Sequence, residues 1–187
     1  MESITIGKQI WTLKNLNITH YRNGDEIPEV KDNLEWGKLN TGAWCYYEND
    51  SNIESSYGKL YNWFAINDPR GFAPVGWHVP SEKEWIILIK FLGGKNIAGG
   101  KLKEVGLSHW LNPNFGASNS SEFTALPGGY RRKPFNYIGF WGKWWSSTED
   151  LKLTTAAWNI TLNSENEYIG LGTDDKMHGF SVRLLKD

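Results

Sequence analysis

The sequence predicts an α+β domain, and three observations carry that prediction. Residues 76–94, GWHVPSEKEWIILIKFLGG, contain a helix start that can be read letter by letter. Segments at both ends of the chain alternate apolar and polar residues, the pattern of strands with one buried face. Between helices and late strands lie long stretches rich in Gly, Pro and aromatics, so strands follow helices rather than alternating with them.

The elements are expected in this order. Ser3 to Thr12 reads as a β-hairpin, with Ile4 and Ile6 alternating, Gly7-Lys8 turning, and Ile10 and Trp11 resuming. Asn23-Gly24-Asp25 is a turn and Pro28 a stop. AWCYY, residues 43–47, is a short strand. Tyr57, Leu60, Tyr61 and Phe64 keep i, i+3, i+4, i+7 spacing, predicting a first helix over 56–66 with Ser55 or Ser56 as N-cap. A second helix spans 82–92. Ser81 and Glu84 form a capping box, and Trp85, Leu88, Ile89 and Leu92 make one buried face. Gly93 and Gly94 end it. Residues 96–143 read as loop, including NIAGGKLKEVG. Strands return at WWSSTE (144–149), TAAWNITLN (155–163), EYIGLG (167–172) and the C-terminal GFSVRLLKD, where Val182 and Leu184 share a face. No period of about 20–50 residues repeats, so a solenoid is not expected.

Composition narrows the function classes. The chain has 187 residues, the size of one domain, and residues 1–187 are expected to fold as one. Twenty Lys and Arg against 21 Asp and Glu give a net charge of −1, which disfavours electrostatic binding to nucleic acid or a membrane surface. The apolar runs fall short of the roughly 18 residues of a spanning helix, so no membrane insertion is expected. MESITIGKQIW lacks the basic start and apolar stretch of a signal peptide. Met1 either replaces a removed leader or begins a chain without one. Cys45 is the only cysteine, so no disulfide can form within the chain. Eleven Trp stand out. Burial is the default for large apolar rings, so about three quarters of them are expected in the core, the rest being free to stack on sugars.

Several blocks together resemble one family. IGKQIWTLKNLNITHYRNGDEIP, YGKLYNWFAINDPRGFAPVGWHVPSEKEW, AGGKLKE, SEFTALPGGYR, WWSSTE and GFSVRLLKD occur in that order. They are similar to the Fibrobacter succinogenes major paralogous domain, over about Ile4 to Asp187. The resemblance implies an exported or cell-surface bacterial protein and names no reaction. VPSEKEW (79–85) and the closing SVRLL are distantly similar to the formylglycine-generating-enzyme branch of the C-type lectin fold. That implies a C-type-lectin-like mixed fold with two helices, antiparallel strands, paired terminal strands and long irregular loops. The active sites of that branch are not matched. No cysteine follows Cys45 to hold copper. His20, His78, His109 and His178 lack ligand-like spacing, and the calcium-binding tripeptides of the sugar-binding lectins are absent, with WNI at 158–160 keeping two letters of one.

Candidate sites are therefore weighed on chemistry alone. Ser146 and Ser147 have no nucleophile elbow around them and read as strand-end hydrogen bonders. Asp174-Asp175 and Glu149-Asp150 supply oxygen ligands of the type calcium takes, and also read as solvated turn residues. His78 reads as a partly buried histidine with a backbone partner. Cys45 reads as a small buried residue with no positive charge beside it. The strongest binding candidate is GGYRRKPFNYIGFWGKWW, residues 128–145. Tyr130, Arg131, Arg132, Phe135, Tyr137 and Trp141 combine aromatic and Arg side chains on a loop, where recognition concentrates. Asn163 to His178 is the next place to look.

These readings point to a non-catalytic recognition or adhesion domain that binds a glycan or a protein. Neither a metal nor another cofactor is required, calcium being the one option left open. The alternatives are a structural or assembly module without a ligand, and an enzyme with an unrecognised site.

Overall fold

The computed structural model describes residues 1–187, apart from the side chain of Ser55, on which half of the N-cap expectation for the first helix falls. In chain order the regular elements are β1 (Ser3–Ile6), β2 (Gln9–Thr12), α1 (Asn33–Trp36), β3 (Trp44–Cys45), α2 (Glu54–Tyr57), β4 (Leu60–Tyr61), α3 (Trp63–Ile66), β5 (Trp77–His78) and α4 (Glu82–Phe91). Then come α5 (Lys95–Leu102), β6 (Tyr130–Arg131), β7 (Phe135–Asn136), β8 (Trp141–Glu149), β9 (Ala156–Asn163), β10 (Gly170–Asp175) and β11 (Leu185–Lys186). This is an α+β fold with several small, largely antiparallel sheets.

The predicted hairpin forms β1 and β2, turning on Gly7 at φ 64°, where glycine alone is unstrained. It belongs to a four-stranded sheet in the order β1-β2-β11-β5, so the two chain ends are joined through Trp11 and Leu185. Upstream of β11 the chain is extended and threads through the molecule. Thr12 N–H donates to Leu184 O and Leu16 N–H to Val182 O, and Gly179, Phe180 and Ser181 bond to Arg131, Tyr61 and Lys143 respectively. Val182 and Leu184 are buried as expected, but Ser181 before them and Arg183 between them are buried too. Arg183 Nη1 donates to Thr12 O at 2.7 Å, Nε to Asn15 Oδ1 at 2.8 Å and Nη2 to Thr124 O at 3.1 Å, which makes its burial tolerable.

The capped helix forms as the sequence predicts. Ser81 Oγ accepts from Glu84 N–H, and the Glu84 carboxylate accepts from Ser81 N–H at 2.7 Å. Trp85, Leu88, Ile89 and Leu92 are all buried, with the Trp85 ring 4.5 Å from that of Trp11.

The helix expected over 56–66 does not form. Gly58 takes φ 69° with ψ −154°, a conformation closed to other residues, and breaks it. The chain then runs extended to pair β4 with β3 (Trp44 opposite Tyr61, Cys45 opposite Leu60), and Asn62 caps the separate single turn α3 by accepting from Ala65 N–H at 3.0 Å. Sheet pairing of Leu60 and Tyr61 outweighed their helical spacing. Conversely, residues 95–102, read as loop, are the helix α5. A Cβ on Gly99 would lie 2.7 Å from the Glu167 and Tyr168 carbonyl oxygens, so its two glycines let another backbone approach. That packing outweighs their poor helix propensity of about 1 kcal/mol each. The strand expected at 167–172 starts instead at Gly170, because Asn163 and Asn166 side chains accept backbone N–H bonds from residues 165, 166 and 168 and hold a turn.

Eight of the eleven Trp are buried: 11, 36, 44, 63, 85, 110, 144 and 145. Replacing Trp85 by Ala should cost about 3–5 kcal/mol in chemical denaturation. Ser81→Ala, which removes one cap, should cost about 0.5–2 kcal/mol. Unfolding followed by Trp fluorescence and by far-UV circular dichroism should give coincident curves, since the segment 179–185 touches every sheet.

His78 supplies a pH-dependent term. It was expected to have a backbone partner; instead Nδ1 meets Asp187 Oδ1 at 2.7 Å and Nε2 meets Glu84 Oε1 at 2.9 Å. Burial lowers its pKa, but the hydrogen bonds to the two carboxylates outweigh burial and raise it above 6.5. A raised folded-state pKa means stabilisation that is complete below the ordinary value and lost as pH rises through the folded one. The melting temperature gap between wild type and His78→Gln should therefore be wider at about pH 5.5 than at about pH 8.5. An equal gap at both would show that the imidazolium contributes nothing.

Candidate functional site

The loop 128–145 is built from the short hairpin β6–β7 and the start of β8. Its residues divide between the interior and the surface: 128–131 and 142–145 are buried, while 132–134 and Tyr137 are exposed. Arg131 goes inward and is fully buried, which corrects its expected place on a recognition surface. Its guanidinium donates to Val30 O at 2.6 Å, Lys31 O at 2.8 Å and Asp32 O at 3.1 Å, and lies 4.2 Å from the Trp36 ring centre. Val30 O is the buried acceptor of the three, and the guanidinium supplies its side-chain donor. Phe135 packs on Tyr47, ring centres 5.2 Å apart, and under Arg131, so it too serves the interior.

Tyr130, Tyr137 and Trp141 come together. Their rings tile at small angles: Tyr130 to Trp141 at 20° and 5.8 Å, Tyr130 to Tyr137 at 29° and 6.0 Å, Tyr137 to Trp141 at 31° and 4.9 Å. Phe140 extends the group, 6.0 Å from both Tyr137 and Trp141. Tyr130 is only 6 % exposed and forms the base of the platform, while Tyr137 is 52 % exposed and Trp141 partly so. Burial raises the Tyr130 phenol pKa against the opposing pull of Arg132, so the hydroxyl stays protonated.

A polar network borders the rings. Lys143 stands two residues beyond Trp141 on the same face of β8. Its Nζ lies 5.2 Å from the Tyr130 ring centre and 2.5 Å from Asp174 Oδ2. Asp174 also accepts from Asn159 Nδ2 at 3.2 Å, faces His178 Nδ1 at 3.4 Å and faces Arg132 Nη2 at 3.8 Å. Burial works against its charge, but His178 and Lys143 hold its pKa at about 2. Arg132 Nε donates to His178 Nε2 at 3.2 Å. That bond needs an unprotonated Nε2, which places the His178 proton on Nδ1, facing Asp174. The neighbouring sheet face is bare at Gly172, where an added Cβ would meet nothing within 4 Å. The result is a shallow surface with an aromatic platform, two carbonyl-free cations, one carboxylate and an amide. No group in it is placed as a nucleophile with its base.

Of the six residues singled out in loop 128–145, four meet here: Tyr130, Arg132, Tyr137 and Trp141. Lys143 of the same loop joins them, as do Asp174 and His178 of the stretch 163–178, and Asn159, which was not singled out as a binder. They lie on β8, β9, β10 and the turn after it and carry no shared spacing, so only tertiary structure brings them together. The acidic pairs considered for calcium are committed elsewhere. Asp174 holds Lys143, Glu149 pairs with Lys176, and Asp150 accepts from Lys152 N–H at 2.8 Å. Among the described residues no three His, Cys, Asp or Glu converge closely enough to hold a metal ion. Ser146 Oγ accepts from Thr148 N–H at 3.1 Å, as a strand-end serine does. Cys45 does have a cation near it, Arg131, but burial dominates and pushes the thiol up to about 12. Among the described residues no helix is long and apolar enough to cross a membrane.

No curated protein and no solved structure matches this chain. The Fibrobacter succinogenes major domain matches residues 4–186, a span that takes in the paired ends, the capped helix and the aromatic platform. The chain belongs to the Fibrobacter succinogenes major domain family.

Proposed function

We propose that this protein is a non-catalytic recognition domain, displayed on an exported or surface protein, that binds a glycan through the Tyr130–Tyr137–Trp141 platform. The single observation carrying this reading is the tiling of three rings within 31° of parallel beside planar hydrogen-bonding groups. The electron-rich faces of such rings meet the C–H face of a sugar. Asp174, Arg132 and Asn159 then offer acceptors and forked donors to its hydroxyls. A rigid platform costs little conformational entropy on binding, because Tyr130 is already locked in the core.

A second reading, a structural or assembly module without a ligand, is favoured by how much of loop 128–145 is spent inward. Arg131, Phe135, Trp144 and Trp145 all serve the interior.

The two are separated by binding measurements on a glycan panel. Tyr137→Ala should leave the melting temperature nearly unchanged and weaken binding at least about tenfold, roughly 1.4 kcal/mol. Arg131→Ala should instead destabilise the fold by about 2–5 kcal/mol, because the buried Val30 carbonyl loses its donor and the packing on Trp36 and Phe135 is lost. Normal glycan binding by Tyr137→Ala and Trp141→Ala would place recognition elsewhere. Binding to no glycan at all would favour the structural module.

A further inference from the structure

Beside the platform, a cleft of about 260 Å³ opens between the end of α1 and the turn of the β6–β7 hairpin. It is lined by Trp36, Gly37, Arg132, Lys133, Met177 and His178. Small-molecule pockets usually run from about 300 to 1,000 Å³, so this one suits a single sugar ring or its substituent.

The lining contains two full cations and no carboxylate. Lys133 takes part in none of the ion pairs among the described residues. Arg132 has only the distant contact with Asp174, a carboxylate already engaged by Lys143 at 2.5 Å. One acid thus faces two cations, and Lys133 adds a third charge, on a protein whose net charge is −1. The surplus is local.

Both cations are also placed. The Arg132 Nε–His178 bond orients the guanidinium plane, and its Nη groups carry no closer partner than the 3.8 Å contact. A fork of that kind matches a carboxylate or a sulfate. The Lys133 stem lies across Gly37, where an added Cβ would fall on the Lys133 Cε. Gly37 has φ −76°, which any residue adopts, so glycine is needed there for space and not for backbone conformation.

We infer that the glycan carries an anionic group, a carboxylate or a sulfate ester, seated between Arg132 and Lys133 while a neighbouring ring stacks on Tyr137 and Trp141. The inference rests on the glycan reading above and names its ligand class. An uncharged sugar would use the platform and leave the two cations idle. A second acidic residue in the cleft would have neutralised them within the protein, and none is there.

The test is affinity electrophoresis at about 0.15 M salt, where long-range attraction is screened beyond about 8 Å. The probes are polygalacturonate, a sulfated galactan and an uncharged galactan. Wild type should bind at least one anionic polymer at least tenfold more tightly than the uncharged one, and which polymer it prefers separates carboxylate from sulfate. Arg132→Gln with Lys133→Gln should abolish that preference without changing the melting temperature. Gly37→Ala should reduce it by displacing Lys133 alone. Equal binding of charged and uncharged galactan by wild type, or an unchanged preference in the double variant, would overturn the anionic site. If Tyr137→Ala still lost all binding in that case, the platform reading would stand without it. Binding of wild type to none of the three would overturn both, as would a preference for single-stranded nucleic acid over every polymer.

Discussion

Buried irregular backbone needs hydrogen-bond donors that it cannot supply to itself, and this requirement shapes the whole protein. Helices and sheets pair their own carbonyls; loops folded into the interior do not. Here the donors come from side chains that have no acceptor capacity. Indole N–H groups of Trp36, Trp44 and Trp110 reach the irregular-chain carbonyls of Met177, Ile27 and Ala125 at 2.7–2.9 Å, and those of Trp63 and Trp145 reach Ser146 O in β8 and Tyr61 O in β4 at 2.8–2.9 Å. Lys103, fully buried, donates to Phe115, Asn163 and Asn166 carbonyls at 2.9–3.0 Å. Burial pulls its pKa down to about 8, and the three carbonyls keep the ammonium satisfied. Arg131 and Arg183 act in the same way. For these Trp, hydrogen bonding adds to apolar area, whereas Trp11 and Trp85 contribute area alone, their indole N–H groups having no partner.

These pins have a geometric consequence. Asn15 accepts from both Trp144 Nε1 and Arg183 Nε and donates to Tyr57 O, tying the N-terminal hairpin, β8 and the C-terminal segment into one node. The segment 179–185 then links the hairpin sheet, the β3–β4 pair, the β6–β7 hairpin and β8 by backbone bonds. Its burial on both faces is possible because Arg183 carries its own set of acceptors. Such a frame holds a loop in one shape at its base while leaving its outer side free.

Loop 128–145 shows the division residue by residue. Arg131 and Arg132 are neighbours with opposite tasks: one binds the carbonyls of Val30, Lys31 and Asp32 from the interior, the other faces solvent beside Asp174 and His178. Tyr130 and Tyr137 are stacked, yet one is core and the other surface. Core and exposed platform are therefore coupled through shared rings, and the exposed ring of Tyr137 rests on an underside that is already packed.

Local chemistry made a good part of this legible. The Ser81–Glu84 capping box, the four-residue apolar face after it, the Gly7 hairpin and the family blocks depend on neighbours within a few positions, and each is found as read. The failures share one cause. Residues 57–64 have helical spacing, but Leu60 and Tyr61 had strand partners 15 and 17 residues upstream, and Gly58 let the chain turn toward them. Residues 95–102 look like loop because their glycines matter only once the Glu167 carbonyl is beside them. In the candidate site, the sequence by itself determined an aromatic and basic loop of the right residue types. Which arginine faces outward, that Lys143 meets Asp174, and that Gly37 makes room for Lys133 were decided by tertiary structure. Those contacts join residues 31 to 101 positions apart, and only the register of the sheets and the packing around them select among them.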